Sequence, residues 1–143
     1  MDVKLWGPPF WLSIHCITFN ASIKISEKDQ LIYKHFFKSL GDILPCKYCR
    51  SSYKVFCKKL RIKHFLSDKM GLTYWLYCIH KLVNLKLNKD NMEFIDVVKK
   101  YEKNSTKPMN IDEIHMFVRN TENKYKKYAD DKIMKISKEY FTQ

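Results

Sequence analysis

Leu44-Pro45-Cys46-Lys47-Tyr48-Cys49-Arg50 is the stretch from which the rest of the chain can be read. Its two cysteines stand two residues apart, directly after a proline and at the head of a helical pattern. Pro45 cannot continue a helix backwards, so a helix is expected to start close to Cys46. The free N–H groups and positive dipole end of that helix favour a thiolate over a thiol, and Lys47 and Arg50 add positive charge. A disulfide between such near neighbours closes too short a loop to gain much as a structural staple. The spacing suits a sulfur pair that closes and reopens. Half of a zinc site uses the same spacing, so both readings stand at this point.

Ahead of the pair, Trp6-Gly7-Pro8-Pro9-Phe10-Trp11 reads as a turn into a helix, with a proline at or near its first position. That helix is expected to run to about Ile23. Trp11 and His15 share one of its faces, and taken alone they read as core packing around a satisfied histidine. Residues 5 to 23 carry no Asp, Glu, Lys or Arg, which is long enough to resemble a membrane segment. Pro8 and Pro9 break its start, and Ser13, His15, Thr18 and Asn20 interrupt the rest, so a buried amphipathic helix fits better. No small-residue cleavage site follows a compact apolar run, so neither a signal peptide nor a membrane span is expected. Ser26 caps a second helix, in which Leu31, Ile32, Phe36, Phe37 and Leu40 recur at helical spacing. Gly41 is expected to end it.

Beyond the pair, a third helix carries Tyr53, Phe56 and Leu60. Ser67-Asp68 open a fourth, with an apolar stripe of Leu72, Leu76, Ile79, Val83 and Leu87. His80 and Asn84 sit beside that stripe and Lys89 follows its end. A short fifth helix is expected over Asn91 to Tyr101. Asn104-Ser105-Thr106-Lys107-Pro108 is the clearest boundary, and it divides residues 1–104 from a basic helical C-terminal extension, residues 105–143. No stretch alternates as a half-buried strand would. With only three glycines and four prolines in 143 residues, the chain reads as all-α.

A hydrophobic fraction of 45% supports a packed core. The net charge of +12 comes from lysines dispersed along the whole chain, so it does not single out nucleic acid as the partner. Five cysteines are an odd count, with Cys16, Cys57 and Cys78 standing singly as buried or idle thiols. That usage points to an intracellular chain with one working dithiol rather than a secreted disulfide scaffold.

Three motifs therefore stand in register: Trp11-x-x-x-His15, Cys46-x-x-Cys49, and His80-x-x-Val83-Asn84-x-x-Leu87-x-Lys89. Their order and spacing resemble the Erv/ALR family of FAD-linked sulfhydryl oxidases, most closely the small members encoded by large DNA viruses. The resemblance covers Trp6 to Tyr101. It implies a four-helix bundle with a short fifth helix, holding FAD and no metal. Trp11 and His15, with Trp6 and Gly7 at the entry, would contact the cofactor. His80 and Asn84 would meet its adenosine portion, and Val83 and Leu87 of the same motif would also contact the cofactor. Lys89 would face the pyrophosphate and Tyr101 the adenine.

By the same resemblance Cys46 is the outer sulfur attacked by a substrate thiolate, and Cys49 lies against the flavin. Electrons then pass to FAD and on to oxygen, giving hydrogen peroxide. The implied partners are protein thiols or a thioredoxin-like relay protein, together with a second copy of the chain. The implied location is the host cytoplasm or the virion.

The chain departs from the family pattern in three places. Lys81 stands where an Asn is usual, Cys78 has no later cysteine to pair with, and no second Cys-x-x-Cys exists to shuttle electrons. Two rival readings carry different expectations. A zinc module would draw on Cys46, Cys49, Cys57 and His64, although Ser51 to Leu60 read as continuous helix and would carry Cys57 away from the pair. A basic nucleic-acid-binding helical module would need a helix face rich in Arg and Lys, and no helix concentrates them.

Overall fold

The computed structural model describes residues 1–141. They form seven α-helices: α1 Val3–Phe19, α2 Glu27–Ile43, α3 Lys47–Lys59, α4 Lys69–Lys86, α5 Phe94–Glu102, α6 Ile111–Thr121 and α7 Lys127–Tyr140. A 3-10 turn, Ile62–Phe65, leads into α4, and a π-turn, Glu122–Lys126, joins α6 to α7. Among the described residues no strand forms, and the sole bridge pairs Lys24 with Asp68. The fold is all-α, as the motif reading implies.

Helix α4 is the axis of the core. Leu72, Leu76, Ile79 and Leu82 are fully buried on it, and Trp75 is 1% exposed. Helices α1, α3, α6 and α7 all pack against it. Its start is fixed by Asp68, whose carboxylate accepts the Gly71 N–H at 2.7 Å. The expected stripe runs true as far as Ile79. Val83 is half-buried, and Leu87 lies beyond the helix end and is 42% exposed.

Two helix boundaries differ from the sequence reading. Helix α1 begins at Val3, where Asp2 caps the Lys4 N–H at 2.9 Å, so Pro8 and Pro9 lie inside the helix rather than at its first turn. Each removes one backbone hydrogen bond. Burial of Ile14, His15, Thr18 and Phe19 along one face offsets that loss, and the helix stops at Phe19 rather than Ile23. Gly41 likewise does not end α2. The helix runs on to Ile43, and Gly41 is where α2 and α3 approach closely: a Cβ there would come 3.0 Å from Lys54 Cγ. The stop falls at Leu44, because Pro45 follows it.

Helix α5 starts at Phe94, three residues later than expected, and is tied to α4 by a buried ion pair, Lys69 Nζ to Glu102 Oε1 at 2.6 Å. After the loop around Pro108, a capping box between Asn110 and Glu113 opens α6. Ile114, Val118, Tyr125, Ala129, Ile133 and Ile136 from this C-terminal part are buried in the same hydrophobic core as α4.

Candidate active site

The site follows from how α3 begins. Cys46 is the N-cap of α3, with extended backbone, and its Sγ accepts the Cys49 N–H at 3.2 Å. A cysteine thus occupies the position usually filled by Ser or Asp, and a sulfur here bears negative charge more easily than it would in water. The preceding turn is braced by Arg50, whose Nη1 donates to the Leu44 carbonyl at 2.6 Å. Both sulfurs are free thiols in this structure. Hydrogen bonding from the Cys49 thiol, and then from the Cys49 and Tyr48 N–H groups, lowers the Cys46 pKa. Burial, and then the neighbouring Cys46 sulfur, push Cys49 up to about 11, while Lys86 pulls in the other direction. The two sulfurs are therefore unequal, with Cys46 better suited to carry charge.

Cys49 lines a cavity of about 510 Å³ bounded by residues of α1, α3, α4 and α5. Of the residues expected to hold a cofactor, Trp6, Gly7, Trp11, His80, Val83, Asn84, Leu87, Lys89 and Tyr101 line it. His15 does not line it. It is 3% exposed and sits behind His80, with its Nε2 3.0 Å from His80 Nδ1. Cys46 also lies outside the lining, and both cysteines are half-buried. Trp75, read as core, is indeed core: its Nε1 donates to the Leu60 carbonyl at 2.9 Å.

The aromatic groups form a connected wall. Trp11 stacks on His80 with centroids 3.9 Å apart and planes 3° from parallel. His15 lies 5.2 Å from both His80 and Tyr101, and Tyr101 stacks on Phe19 at 5.1 Å. Burial first, then His80 and Lys100, hold His15 down to about 3. Burial, then Lys100 and Lys89, lower His80 to about 4. Both imidazoles are neutral at ordinary pH, so they present flat, uncharged ring faces. Asn84 Nδ2 donates to Asn91 Oδ1 at 3.1 Å and fixes the loop after α4. Asn88 turns that loop with φ 54°, a left-handed conformation that asparagine tolerates.

Among the described residues, two buried side-chain polar atoms find no partner, Trp6 Nε1 and His15 Nδ1. Trp6 borders the cavity, so an acceptor on a ligand would satisfy its donor. Flat rings and three lysines, Lys86, Lys89 and Lys100, in one lining and a volume of this order suit an aromatic dinucleotide.

The sequence reading missed several lining residues, notably Ser52, Tyr53, Lys86 and Lys100. Ser52 and Tyr53 follow Cys49 by three and four residues, so helical spacing from Cys49 would have found them. Lys86 follows Val83 by one turn in the same way. Lys100 had no such signal, because α5 had to be docked before its neighbours were known.

The zinc set does not assemble. Cys57 lines a different cavity from Cys49, and among the described residues no group of three or more His, Cys, Asp or Glu is placed to hold a metal. Of the single cysteines, Cys78 is buried and Cys57 half-buried, but Cys16 is exposed.

Known proteins share this fold or are similar to the chain in sequence. The core of yeast Erv1 superimposes with a TM-score of 0.68 at 19% identity, covering 73% of this chain and 87% of that one, which establishes a common fold. A FAD-linked sulfhydryl oxidase of African swine fever virus, from a Kenyan pig isolate, is 28% identical over 104 residues, covering 71% of this chain and 84% of the viral protein. A candidate FAD-linked sulfhydryl oxidase of Invertebrate iridescent virus 3 is 25% identical over 101 residues, covering 71% of this chain and 68% of its own. The Erv1/Alr family model matches residues 8–104, from α1 to the turn after α5. That span is well over half of the chain and contains all three motifs, and the chain belongs to the Erv1/Alr family.

Proposed function

We propose that the chain is a FAD-dependent sulfhydryl oxidase that makes disulfide bonds in protein thiols through Cys46 and Cys49. The observation that carries this reading is the placement of Cys49 in the lining of the same cavity as the stacked Trp11 and His80 rings and Lys86, Lys89 and Lys100. The names of the viral relatives and the family membership support the activity and the cofactor.

In the oxidised enzyme a substrate thiolate attacks Cys46 Sγ, the Cys46–Cys49 bond breaks, and Cys49 leaves as a thiolate. Burial opposes that leaving group and Lys86 favours it. A second substrate thiolate then attacks the mixed disulfide, closing the substrate's own sulfur–sulfur bond and releasing Cys46. Donors at the head of α3 receive the charge on Cys46. The pair has gained two electrons. FAD, when bound, would take these from Cys49 and pass them to oxygen, giving hydrogen peroxide. Trp6, Gly7, Trp11, His80, Asn84 and Tyr101 would hold it, with Lys89, Lys86 and Lys100 near its phosphates. His15 acts from behind, orienting His80 through their shared hydrogen bond.

Consumption of oxygen with dithiothreitol as electron donor tests the assignment. Cys49→Ser should reduce turnover to background while FAD stays bound, and retained turnover would show that the electrons take another path.

A thioredoxin-like relay or direct docking of the substrate would deliver the electrons, and an intracellular or virion setting belongs to the same reading. No helix among the described residues is long and apolar enough to cross a membrane. Residues 105–143 are read as an extension that braces the oxidase helices. A homodimer through α1 and α2 is also part of the proposal, supported by Leu12, Ile17, Leu31 and Ile32, which stay 38–57% exposed on these two helices. Light scattering should give about twice the 17.3 kDa chain mass, and the monomer mass at working concentration would contradict it.

A further inference from the structure

A second cavity, about 290 Å³, opens between α2, α3 and the 3-10 turn, and shares Tyr53 as a wall with the first. Its rim and its floor differ in chemistry. Lys34, Lys38, Lys54, Lys58, Arg61 and Lys63 are exposed around it, and no acidic residue lines it, although the chain contains 15 Asp and Glu. Lys54 pairs with Asp42 at 2.8 Å on the protein surface. Cations gathered at one hollow without carboxylates repel one another, and an anion placed among them relieves that repulsion.

The floor is apolar and already satisfied. Phe37 and Trp75 are 1% exposed, and Tyr53 5%. The Trp75 N–H donates to the Leu60 carbonyl, and the Tyr53 hydroxyl donates to the Phe37 carbonyl. Burial pushes the Cys57 thiol up to about 12, so it stays protonated. The side-chain donors of Trp75 and Tyr53 are thus already engaged. A sugar, an amide or a peptide would bring polar groups there and leave them unmatched. A ligand that fits must be apolar in the body and anionic at the head, and the volume is at the small end of ligand sites.

We propose that this cavity binds an amphiphilic monoanion, a medium-chain carboxylate, with its chain along the half-buried Cys57 and Ile62, above Phe37 and Trp75, and its head among Lys58, Arg61 and Lys63. None of the cysteine-pair chemistry is needed for this site, so its success or failure is separate from that of the oxidase reading.

The three tryptophans supply the test. Trp75 reports the second cavity, whereas Trp6 and Trp11 report the first. The FAD-loaded full chain, labelled with nitrogen-15, is titrated with sodium decanoate while the indole N–H signals are followed by NMR. The Trp75 signal should shift and saturate, with half-saturation below ~1 mM, while those of Trp6 and Trp11 stay in place. The double variant Lys58→Glu/Arg61→Glu changes only exposed side chains and should weaken binding by about tenfold or more. Decyltrimethylammonium, with the same chain length and opposite charge, should leave Trp75 unmoved, which gives the charge comparison without any mutation. A Trp75 signal that stays fixed up to ~10 mM decanoate overturns the proposal. So does an equal response to the cationic amphiphile, an unchanged affinity in the double variant, or a matching shift at Trp6.

Discussion

His15 and His80 show how much of the site's character is set by burial of single side chains. Both would titrate near 6.5 in water, and here they are lowered to about 3 and about 4. A histidine whose folded pKa is depressed takes up a proton more readily when unfolded. Stability is therefore complete above pH 6.5 and is lost as the pH falls from there toward the folded values. The slope approaches ~1.4 kcal/mol per pH unit for each histidine. Thermal melts of the FAD-free protein should accordingly fall between pH 7 and pH 5, and His80→Phe, which keeps a flat ring against Trp11, should flatten that fall. A melting temperature independent of pH over this range would contradict the burial of the pair. At this scale the sequence pointed to most of the residues that meet at the larger cavity but not to their order in depth. Trp11 and His80 lie far apart in sequence, and nothing in either motif announces that their rings stack. His15 matches the family position and yet stands behind the wall, because helix α1 turns its side chain toward Tyr101 and the core.

Periodicity placed the core helices correctly, and the misjudged boundaries have local causes. Prolines at positions 8 and 9 usually mark a first turn, but tertiary burial of the α1 face outweighed two lost hydrogen bonds. Gly41 has the composition of a stop and serves instead as a contact point between α2 and α3. The pairing of α4 with α5 was not legible, since Lys69 and Glu102 look like ordinary surface charges until the helices dock. Glu102 is 1% exposed, so the pair is deeply desolvated. Lys69→Met should lower unfolding free energy by about 3 kcal/mol in urea titrations, because it strands the Glu102 carboxylate in the core. The double change Lys69→Met/Glu102→Leu should recover most of that loss. A single variant that costs less than ~1 kcal/mol would mean the pair is not held in the interior as drawn.

On the scale of the whole molecule, the family span and the C-terminal helices form one body. The Tyr125 hydroxyl donates to Asp68 at 3.0 Å, and Lys124 Nζ donates to the other carboxylate oxygen at 2.6 Å, so the π-turn locks the cap of α4. The Tyr140 hydroxyl meets Ser52 Oγ at 2.8 Å, and Ser52 lines the larger cavity beside Cys49. The lysine and tyrosine content of residues 105–143 gave no hint of this packing, because the buried positions Ile114, Val118, Ala129, Ile133 and Ile136 are sparse among charged neighbours. By contrast, the cysteine pair, the Trp-x-x-x-His helix and the His80–Lys89 motif led to the fold and to many residues lining the larger cavity, since each combines a helical spacing with side chains of unusual chemistry. The account as a whole rests on electrons passing between Cys49 and a flavin in the larger cavity. Anaerobic absorption spectroscopy of the FAD-loaded protein with excess dithiothreitol tests this directly. The account predicts about one FAD per chain, bleached by the dithiol in the wild-type protein and left yellow in Cys49→Ser. A protein that takes up no FAD, or a Cys49→Ser variant that bleaches at the wild-type rate, would contradict it.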